Sequence, residues 1–272
     1  MIIVLCIVVL LTAGYLWMLC GRNGHEGLSA LRGWLYAHRG LHGQGVPENS
    51  MAAFQAALTR GYGIELDVHL MKDGNLAVIH DASLLRTAGA DVKIEELTIQ
   101  QLQNYHLEGT QESIPLLSQV LALVAGKAPI IVELKSEQDN YEALTAAAVQ
   151  LMDGYEGVWC IESFDPRCIR CLKKRYPQAI RGQLSENFLK SPGVKAPILL
   201  KLAMALLLPN FLTKPDFIAY RFSDRKMASR RICCDLWGLQ EVSWTIKTQQ
   251  ELEAALAAGA IPIFEGFLPE TK

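Results

Sequence analysis

Residues 63–81 read GIELDVHLMKDGNLAVIHD. The first part alternates as an extended strand does. Ile64, Leu66 and Val68 fall on one face and Glu65 and Asp67 on the other, because successive side chains of a strand point to opposite sides. Lys72-Asp73-Gly74 is a turn signal, and an Asp-Gly pair between two extended runs favours an antiparallel return. The returning run, 75–81, is expected to bring His80 back beside Asp67, with facing side chains about 5 Å apart. In a barrel the apolar set packs against surrounding helices and the carboxylates point into the barrel mouth.

The rest of the chain extends this pattern. Strand-like runs begin near Leu35, Gly63, Pro129, Gly157, Ala179, Asp216, Glu241 and Ala260, and helical patterns occupy 50–60, 140–152, 166–175, 224–236 and 248–258. Eight strands alternating with helices over residues 34–272 predict a (β/α)8 TIM barrel, a fold of typically ~250 residues. A doubly wound open sheet is the alternative, but the chain has no Gly-x-Gly-x-x-Gly turn to support it. The hairpin run at 75–81 accounts for a ninth strand. Between 82 and 115 the chain is more polar, and Leu84, Leu85, Ile94, Leu97 and Leu102 are expected to pack a small insertion over the mouth or an ordinary surface excursion.

The N-terminus differs from the body. Residues 2–20 carry no charge, which predicts a transmembrane anchor over 1–21 followed by a linker over 22–33. A cleaved signal peptide is opposed by the lack of a basic residue before the run and of a small-x-small site after it. Arg22, Arg32 and Arg39 follow the span and no basic side chain precedes it, so the positive-inside rule puts the main body in the cytoplasm, on a single-pass membrane protein. Seven scattered cysteines fit a reducing compartment. Cys168 and Cys171 have redox-motif spacing but no second ligand pair for zinc. The apolar stretch 196–208 is too short to span and reads as a core-facing barrel helix or one lying on a membrane surface. With 26 basic against 28 acidic residues and no basic stripe, nucleic-acid binding has no electrostatic support.

The chemistry is carried by charged residues in apolar strand-like runs, where a lone buried charge is costly without a partner or a metal. Glu65, Asp67 and Glu133, on neighbouring strands, make an oxygen-rich set suited to Mg²⁺ or Ca²⁺ rather than zinc. The structural alternative is an ion-pair network with Arg39 and Lys135. His38 and His80 are the acid–base candidates, one accepting and the other donating a proton. Arg39 offers a bidentate fork to a phosphate and Lys135 a point charge. His42, in a glycine-rich loop, and His69 are weaker candidates, and His25 and His106 read as surface residues.

Taken in order, His38-Arg39-Gly40, Pro47-Glu48-Asn49-Ser50, the run ELDVHLMKDG at 65–74, Val78-Ile79-His80-Asp81 and Val132-Glu133-Leu134-Lys135 closely resemble the glycerophosphodiester phosphodiesterase family, as a membrane-anchored bacterial-type member. The resemblance runs from about Leu35 to Phe267. It implies a (β/α)8 barrel with a small insertion after His80-Asp81. It also implies His38 and His80 as the catalytic pair, Glu65, Asp67 and Glu133 as ligands of a divalent cation, and Arg39 and Lys135 as phosphate contacts. Glu48 and Asn49 would brace the site, with Ser163, Phe164 and Trp244 around the substrate opening. The implied reaction is hydrolysis of deacylated phospholipid head-group esters to sn-glycerol 3-phosphate and an alcohol. In some members the glycerol hydroxyl attacks first, giving a cyclic phosphate. Two departures stand out. Ser50 replaces a commoner threonine, and Ile263-Phe264-Glu265-Gly266 replaces a Thr-Asp pair, which leaves Glu265 without an assigned role. The alternatives are a lysophospholipase D acting on lysophospholipids at the membrane and a non-catalytic binder of phosphorylated head groups.

Overall fold

Among the described residues nine strands form one sheet: β1 (Tyr36–Ala37), β2 (Gly63–Leu70), β3 (Leu76–Val78), β4 (Ile130–Leu134), β5 (Trp159–Ser163), β6 (Arg181–Ser185), β7 (Phe217–Arg221), β8 (Gln240–Ile246) and β9 (Ile261–Phe264). The computed structural model describes residues 1–191, 193 and 195–270. Eight strands run parallel in the order β1-β2-β4-β5-β6-β7-β8-β9, and β1 pairs with both β2 and β9. Tyr36 lies opposite Gly63 on one side and Ile263 on the other, which closes the barrel. The ninth strand, β3, is the expected antiparallel return, with Val68 opposite Val78 and Leu70 opposite Leu76. Asp67 therefore faces Ile79, whose N–H donates to the Asp67 carbonyl at 3.1 Å, and His80 follows at the rim.

The helices are α1 (Ile2–Met18), α2 (Met51–Thr59), α3 (Leu85–Ala88), α4 (Ile99–Leu102), α5 (Leu117–Val124), α6 (Tyr141–Met152), α7 (Pro166–Arg175), α8 (Ile198–Ala205), α9 (Asn210–Thr213), α10 (Ala228–Arg231) and α11 (Gln249–Ala257). Several start where the sequence supplies a cap. The Ser50 hydroxyl accepts from Ala53 N–H, Asp165 accepts from Arg167 N–H ahead of Pro166, and Thr248 accepts from Glu251 N–H. The outward faces of β2 and β4, with Ile64, Leu66, Val68, Ile130, Val132 and Leu134, are buried beneath these helices. Each such side chain contributes roughly 1.5–3 kcal/mol by leaving water.

The inward faces alternate by height. The lower interior is apolar: Tyr36, Ile131, Cys160, Phe217, Val242 and Ile263 fill it. Two glycines make room there. A Cβ on Gly63 would sit 2.7 Å from the Tyr36 ring and one on Gly182 2.0 Å from the Phe217 ring. Residues 22–33, expected as a linker, instead close the barrel floor. A 3-10 helix, Glu26–Leu31, buries Leu28 and Leu31 in the same cluster, and Arg32 Nε donates to Gln240 Oε1 at 2.7 Å. Arg22 is likewise held by Asp216 at 2.5 Å.

Three further expectations need correction. Among the described residues no helix is long and apolar enough to cross a membrane. The charge-free run does not continue as helix to Cys20. α1 has 17 residues, about 26 Å at 1.5 Å per residue, short of the ~30 Å hydrocarbon core. It stops because the chain turns into the body. Leu19 is fully buried with Leu207, Ile218, Tyr220 and Cys233, and Trp237 Nε1 donates to the Leu16 carbonyl at 2.9 Å. Second, α8 is not core-facing: only Ala205 is buried, and Ile198, Leu199, Leu200 and Leu202 are exposed. Third, in the insertion Leu84, Ile94, Leu97 and Leu102 pack with Met71, Ile79 and Leu107, whereas Leu85 points to solvent. All seven cysteines are free thiols. Cys168 lies buried on α7, where burial pushes its thiol up to about 12.

Candidate active site

At the upper end of the barrel the same inward faces turn ionisable. Glu65 and Asp67 from β2 and Glu133 from β4 are all buried, and one oxygen from each lies within 4.8 Å of the others. The parallel register puts Asp67 directly opposite Glu133. Lys135 Nζ lies 2.6 Å from Glu133 Oε1 and 3.0 Å from Asp67 Oδ1. Lys135 is thus the cation that these two oxygens share. Burial, then the neighbouring Asp67 and Glu133 charges, pushes Glu65 well above the ordinary carboxylate range. Burial pushes Glu133 up to about 7 despite Lys135. Burial would raise Asp67 too, but Lys135, His80, Arg39 and His38 outweigh it and hold that carboxyl well below its usual value. Three buried carboxylates within 4.8 Å of one another are a poor packing solution and a good oxygen cage. The set fits a hard divalent cation.

The loop after β1 is clamped onto this cage. Arg39 N–H donates to Glu65 Oε2 at 3.0 Å, and Asn49 Nδ2 donates to Asp67 Oδ2 at 2.9 Å. Arg39 and Asn49 both adopt left-handed backbone, φ 55 and 54, joined by an Asn49 N–H to Arg39 carbonyl bond of 2.9 Å. Such conformations are uncommon for arginine and persist where surrounding contacts hold them. Next to them Gly40, at φ 77, lies where a Cβ would be 2.8 Å from that of Ala53, so only glycine lets the loop pass α2.

Each of the two histidines is held by a carboxylate of its own. His38 Nδ1 is 2.7 Å from Glu265 Oε2, and His38 Nε2 is 3.9 Å from Glu65 Oε2. His80 Nδ1 is 2.6 Å from Asp81 Oδ1. In each ring the Nδ1–H faces a carboxylate, which leaves Nε2 to exchange a proton. Burial lowers both imidazoles below their ordinary value, opposed at His38 by the bond to Glu265 and at His80 by the charge of Asp67. The His38 bond holds the Glu265 carboxyl down at about 2. Asp81 is also bound by Arg86 Nε at 2.5 Å. Arg86 reaches Glu48 at 2.7 Å, and Glu48 pairs with Arg39 Nη1 at 3.0 Å. Arg39 Nε is in turn 3.4 Å from Asp67 Oδ2. A chain of charges thus runs from His80 back to the cage. A cavity of about 360 Å³ opens over it, lined by His80, Glu133, Lys135, Ser136 and Phe164 among others. A larger cavity of about 670 Å³ lies behind the insertion, lined by Met51, Leu102 and Glu112, and contains none of this chemistry.

The profile of the glycerophosphoryl diester phosphodiesterase family matches residues 38–265, from one end of the His38–Glu265 pair to the other. The chain belongs to this family. A glycerophosphodiester phosphodiesterase of Bacillus altitudinis is 40% identical over 171 residues, 59% of this chain and 69% of that protein. Another from Caldanaerobacter subterraneus subsp. tengcongensis is 29% identical over 233 residues, 82% of this chain and 89% of that one. Among solved structures, an Oleispira antarctica phosphodiesterase in complex with the product sn-glycerol-3-phosphate superposes with a TM-score of 0.72. Its identity is 22%, covering 90% of this chain and 95% of that one.

Within this glycerophosphoryl diester phosphodiesterase fold, the residues singled out by sequence do not all lie where expected. His38, His80, Glu65, Asp67, Glu133, Arg39, Lys135, Glu48 and Asn49 converge. Ser163 reaches the cavity wall, but its hydroxyl donates to the Leu134 carbonyl at 2.7 Å. Phe164 lines the cavity, and Trp244 packs edge-on behind it with ring centroids 5.6 Å apart. His42 Nε2 stands 4.0 Å from Glu265 Oε1. His69 is buried, with Nδ1 2.6 Å from Glu95 and Nε2 3.1 Å from the His80 carbonyl, so it braces the segment after β3 that carries His80. Sequence reading missed the contributions of Glu265, Asp81, Arg86, Glu95 and Glu162. Glu162 lies opposite Glu133 in the next strand, with one buried oxygen unpartnered, and its inward face was readable from the alternation Cys160, Glu162. Arg86, on a short helix of the insertion, carried no local signal.

Proposed function

We propose that this chain hydrolyses glycerophosphodiesters to sn-glycerol 3-phosphate and an alcohol, with a Mg²⁺ or Ca²⁺ ion on Glu65, Asp67 and Glu133. The observation that carries the reading is the convergence of three buried carboxylates, one oxygen of each within 4.8 Å of the others, with two histidines each oriented by its own carboxylate. A bound cation supplies charge neutralisation as phosphate charge develops. Lys135 and Arg39 add fixed positive charge beside it, so a phosphodiester is drawn to the cage and held there. One histidine accepts a proton from the attacking water through Nε2 as the new oxygen–phosphorus bond forms. The other donates its Nε2 proton to the leaving alkoxide. Glu265 and Asp81 keep each Nδ1 protonated and each ring aimed. Asn49 and the Arg39 backbone N–H hold Asp67 and Glu65 in place. Phe164, backed by Trp244, forms the apolar side of the opening.

The test is release of sn-glycerol 3-phosphate from glycerophosphocholine and glycerophosphoethanolamine by the purified full-length chain, with Mg²⁺, with Ca²⁺ and with EDTA. Metal-dependent release that disappears in His38→Ala supports the assignment. Release that persists in EDTA, or in that variant, rejects it. For localisation we propose that α1 holds the protein at a lipid surface with its catalytic body on the cytoplasmic side. α1 is apolar all round, has no buried residue and joins the body through Leu19. Co-sedimentation of the full chain with phospholipid vesicles checks this, and a protein that stays in the supernatant rules it out.

A further inference from the structure

The insertion between β3 and α5 reaches the barrel mouth at two points, and both lead to His80. The first is Arg86, on α3. Its Nε donates to Asp81 Oδ2 at 2.5 Å, and Asp81 Oδ1 is 2.6 Å from His80 Nδ1. The other arms of the same fork, Nη1 and Nη2, donate to Glu48 at 3.1 and 2.7 Å, and Glu48 Oε1 accepts from Arg39 Nη1 at 3.0 Å. One guanidinium thus fixes the carboxylate behind an acid–base ring and the carboxylate behind a phosphate contact. The second point is Glu95, on the 3-10 turn Ile94–Glu96. Glu95 Oε1 is 2.6 Å from His69 Nδ1, and His69 Nε2 is 3.1 Å from the His80 carbonyl oxygen. His80 is therefore held at its ring by way of Arg86 and at its backbone by way of Glu95. The apolar cluster of the insertion also takes in Ile79, the residue before His80. His38 differs: its ring partner is Glu265, directly after β9 of the barrel itself.

We propose that Arg86 and Glu95 are positioning residues, through which the insertion sets the place of His80 and, by way of Glu48, of Arg39. This rests on the phosphodiesterase reading and adds to it the source of half the site's geometry. Arg86 is placed for that task and not for packing. Its side chain is 48% exposed, and ion pairs so open to water add little to the stability of a fold. All three hydrogen bonds that it makes among the described residues go to Asp81 and Glu48. A planar guanidinium can hold two carboxylates in fixed directions at once, which the point charge of a lysine cannot. The two residues divide the work. Arg86 serves both the proton-transferring ring and the phosphate contact, so its loss acts on kcat and on KM. Glu95 serves only the His80 branch, so its loss acts on kcat alone.

The experiment measures kcat, KM and Tm with glycerophosphocholine and Mg²⁺ or Ca²⁺ for the unaltered full-length chain and for variants at these positions. We expect Arg86→Ala to lower kcat about 10–100-fold, the range for lost partners of a functional imidazole, and to raise KM. Guanidinium ion, well below denaturing concentration, should restore part of that kcat, because a half-exposed arginine leaves a place open to solvent. Glu95→Ala should lower kcat with KM unchanged. Glu95→Gln, which can still accept the His69 Nδ1–H, should recover most of the loss. Glu96→Ala, exposed on the same turn and outside these contacts, keeps both constants. Unaltered kcat and KM in Arg86→Lys overturn the proposal whatever the alanine variant does, since lysine keeps the charge and cannot fork. A loss in Arg86→Ala that guanidinium leaves untouched and that comes with a matching fall in Tm overturns it as well, as an effect on the fold. Unaltered rates in every variant end this proposal and leave the phosphodiesterase reading standing. An unaltered chain that releases no sn-glycerol 3-phosphate overturns both.

Discussion

The lower and upper halves of the barrel interior are built from the same strands and the same faces, two residues apart. Tyr36 is followed by His38, Ile131 by Glu133, Cys160 by Glu162, Val242 by Trp244 and Ile263 by Glu265. Below, the ladder buries rings and branched chains at the density of a crystal, with Gly63 and Gly182 cut back to admit Tyr36 and Phe217. Above, it buries carboxylates whose charges repel. The period of two lets one strand do both, because each inward step changes the chemistry without changing the backbone. The lower half fixes where the upper half's charges stand, and the upper half returns little stability until a cation joins it.

The largest expected effect breaks that asymmetry directly. Chelation should remove turnover by several orders of magnitude, since a cation at a reacting phosphate contributes several kcal/mol. It should also lower Tm. At a hundredfold excess over Kd a bound ion stabilises by about 2.7 kcal/mol, about 5–10 °C for a chain of this size. The pH dependence sharpens the point. In the folded, metal-free protein Glu133 is raised to about 7 and Glu65 is raised as well. Between about pH 4.5 and 7 the folded state therefore holds protons that the unfolded state has released, and stability falls as pH rises through that window. Melting curves in EDTA should show Tm falling from pH 5 to 7.5, and added Mg²⁺ or Ca²⁺ should restore more at the upper end. A flat profile would mean that the carboxylates are neutralised by Arg39 and Lys135 alone.

Next come the histidines. His38→Ala and His80→Ala should each lower kcat about 10²–10⁴-fold with Tm nearly unchanged, since neither ring belongs to the apolar core below. A substrate with an activated leaving group, such as a p-nitrophenyl phosphodiester, should rescue only the variant that has lost the general acid. Equal rescue of both variants would contradict a division of labour. The mirror experiment is in the lower half. Gly182→Ala puts a methyl against the buried Phe217 ring, and overpacking of this kind costs about 1–3 kcal/mol. Tm should drop by about 3–10 °C while kcat per folded molecule holds. A selective loss of kcat instead would show that the halves are not separable.

How much of this was readable follows from what each feature depends on. The eight strands and the hairpin were legible because alternation and the Lys72-Asp73-Gly74 turn are local. The carboxylate cage was legible because Glu65, Asp67 and Glu133 share strands with branched apolar residues that fix which way they point. The anchor was misjudged because hydropathy counts Leu19 and Cys20 with the helix, whereas Leu19 is pulled into the body by Ile218 and Tyr220, distant in sequence. The stretch that forms α8 was left between two readings for a related reason, since an apolar stretch does not state what it faces. Arg86 and Glu95 were out of reach, since their partners Asp81 and His69 meet them only through the folded insertion.

Glu265 gives the smallest effect and the finest test of the comparison, because it stands at the point where an apolar strand end becomes part of the site. It follows β9 and departs from the expected Thr-Asp pair, yet its carboxylate accepts the His38 Nδ1 proton at 2.7 Å. Glu265→Gln keeps the shape and removes the charge. The ring then loses the partner that opposes burial, so His38 should titrate lower than in the parent enzyme. We expect kcat to fall about 10–100-fold, as when partners of a functional imidazole are lost, with KM little changed. The pH–rate profile decides what that histidine does. If His38 is the base, it must be unprotonated, and lowering its pKa moves the acidic limb of kcat/KM to lower pH. If it is the acid, it must be protonated, and the alkaline limb moves down instead. The limb that shifts therefore names the role. A profile that falls in height without moving either limb would mean that Glu265 only aims the ring and leaves its proton affinity to burial.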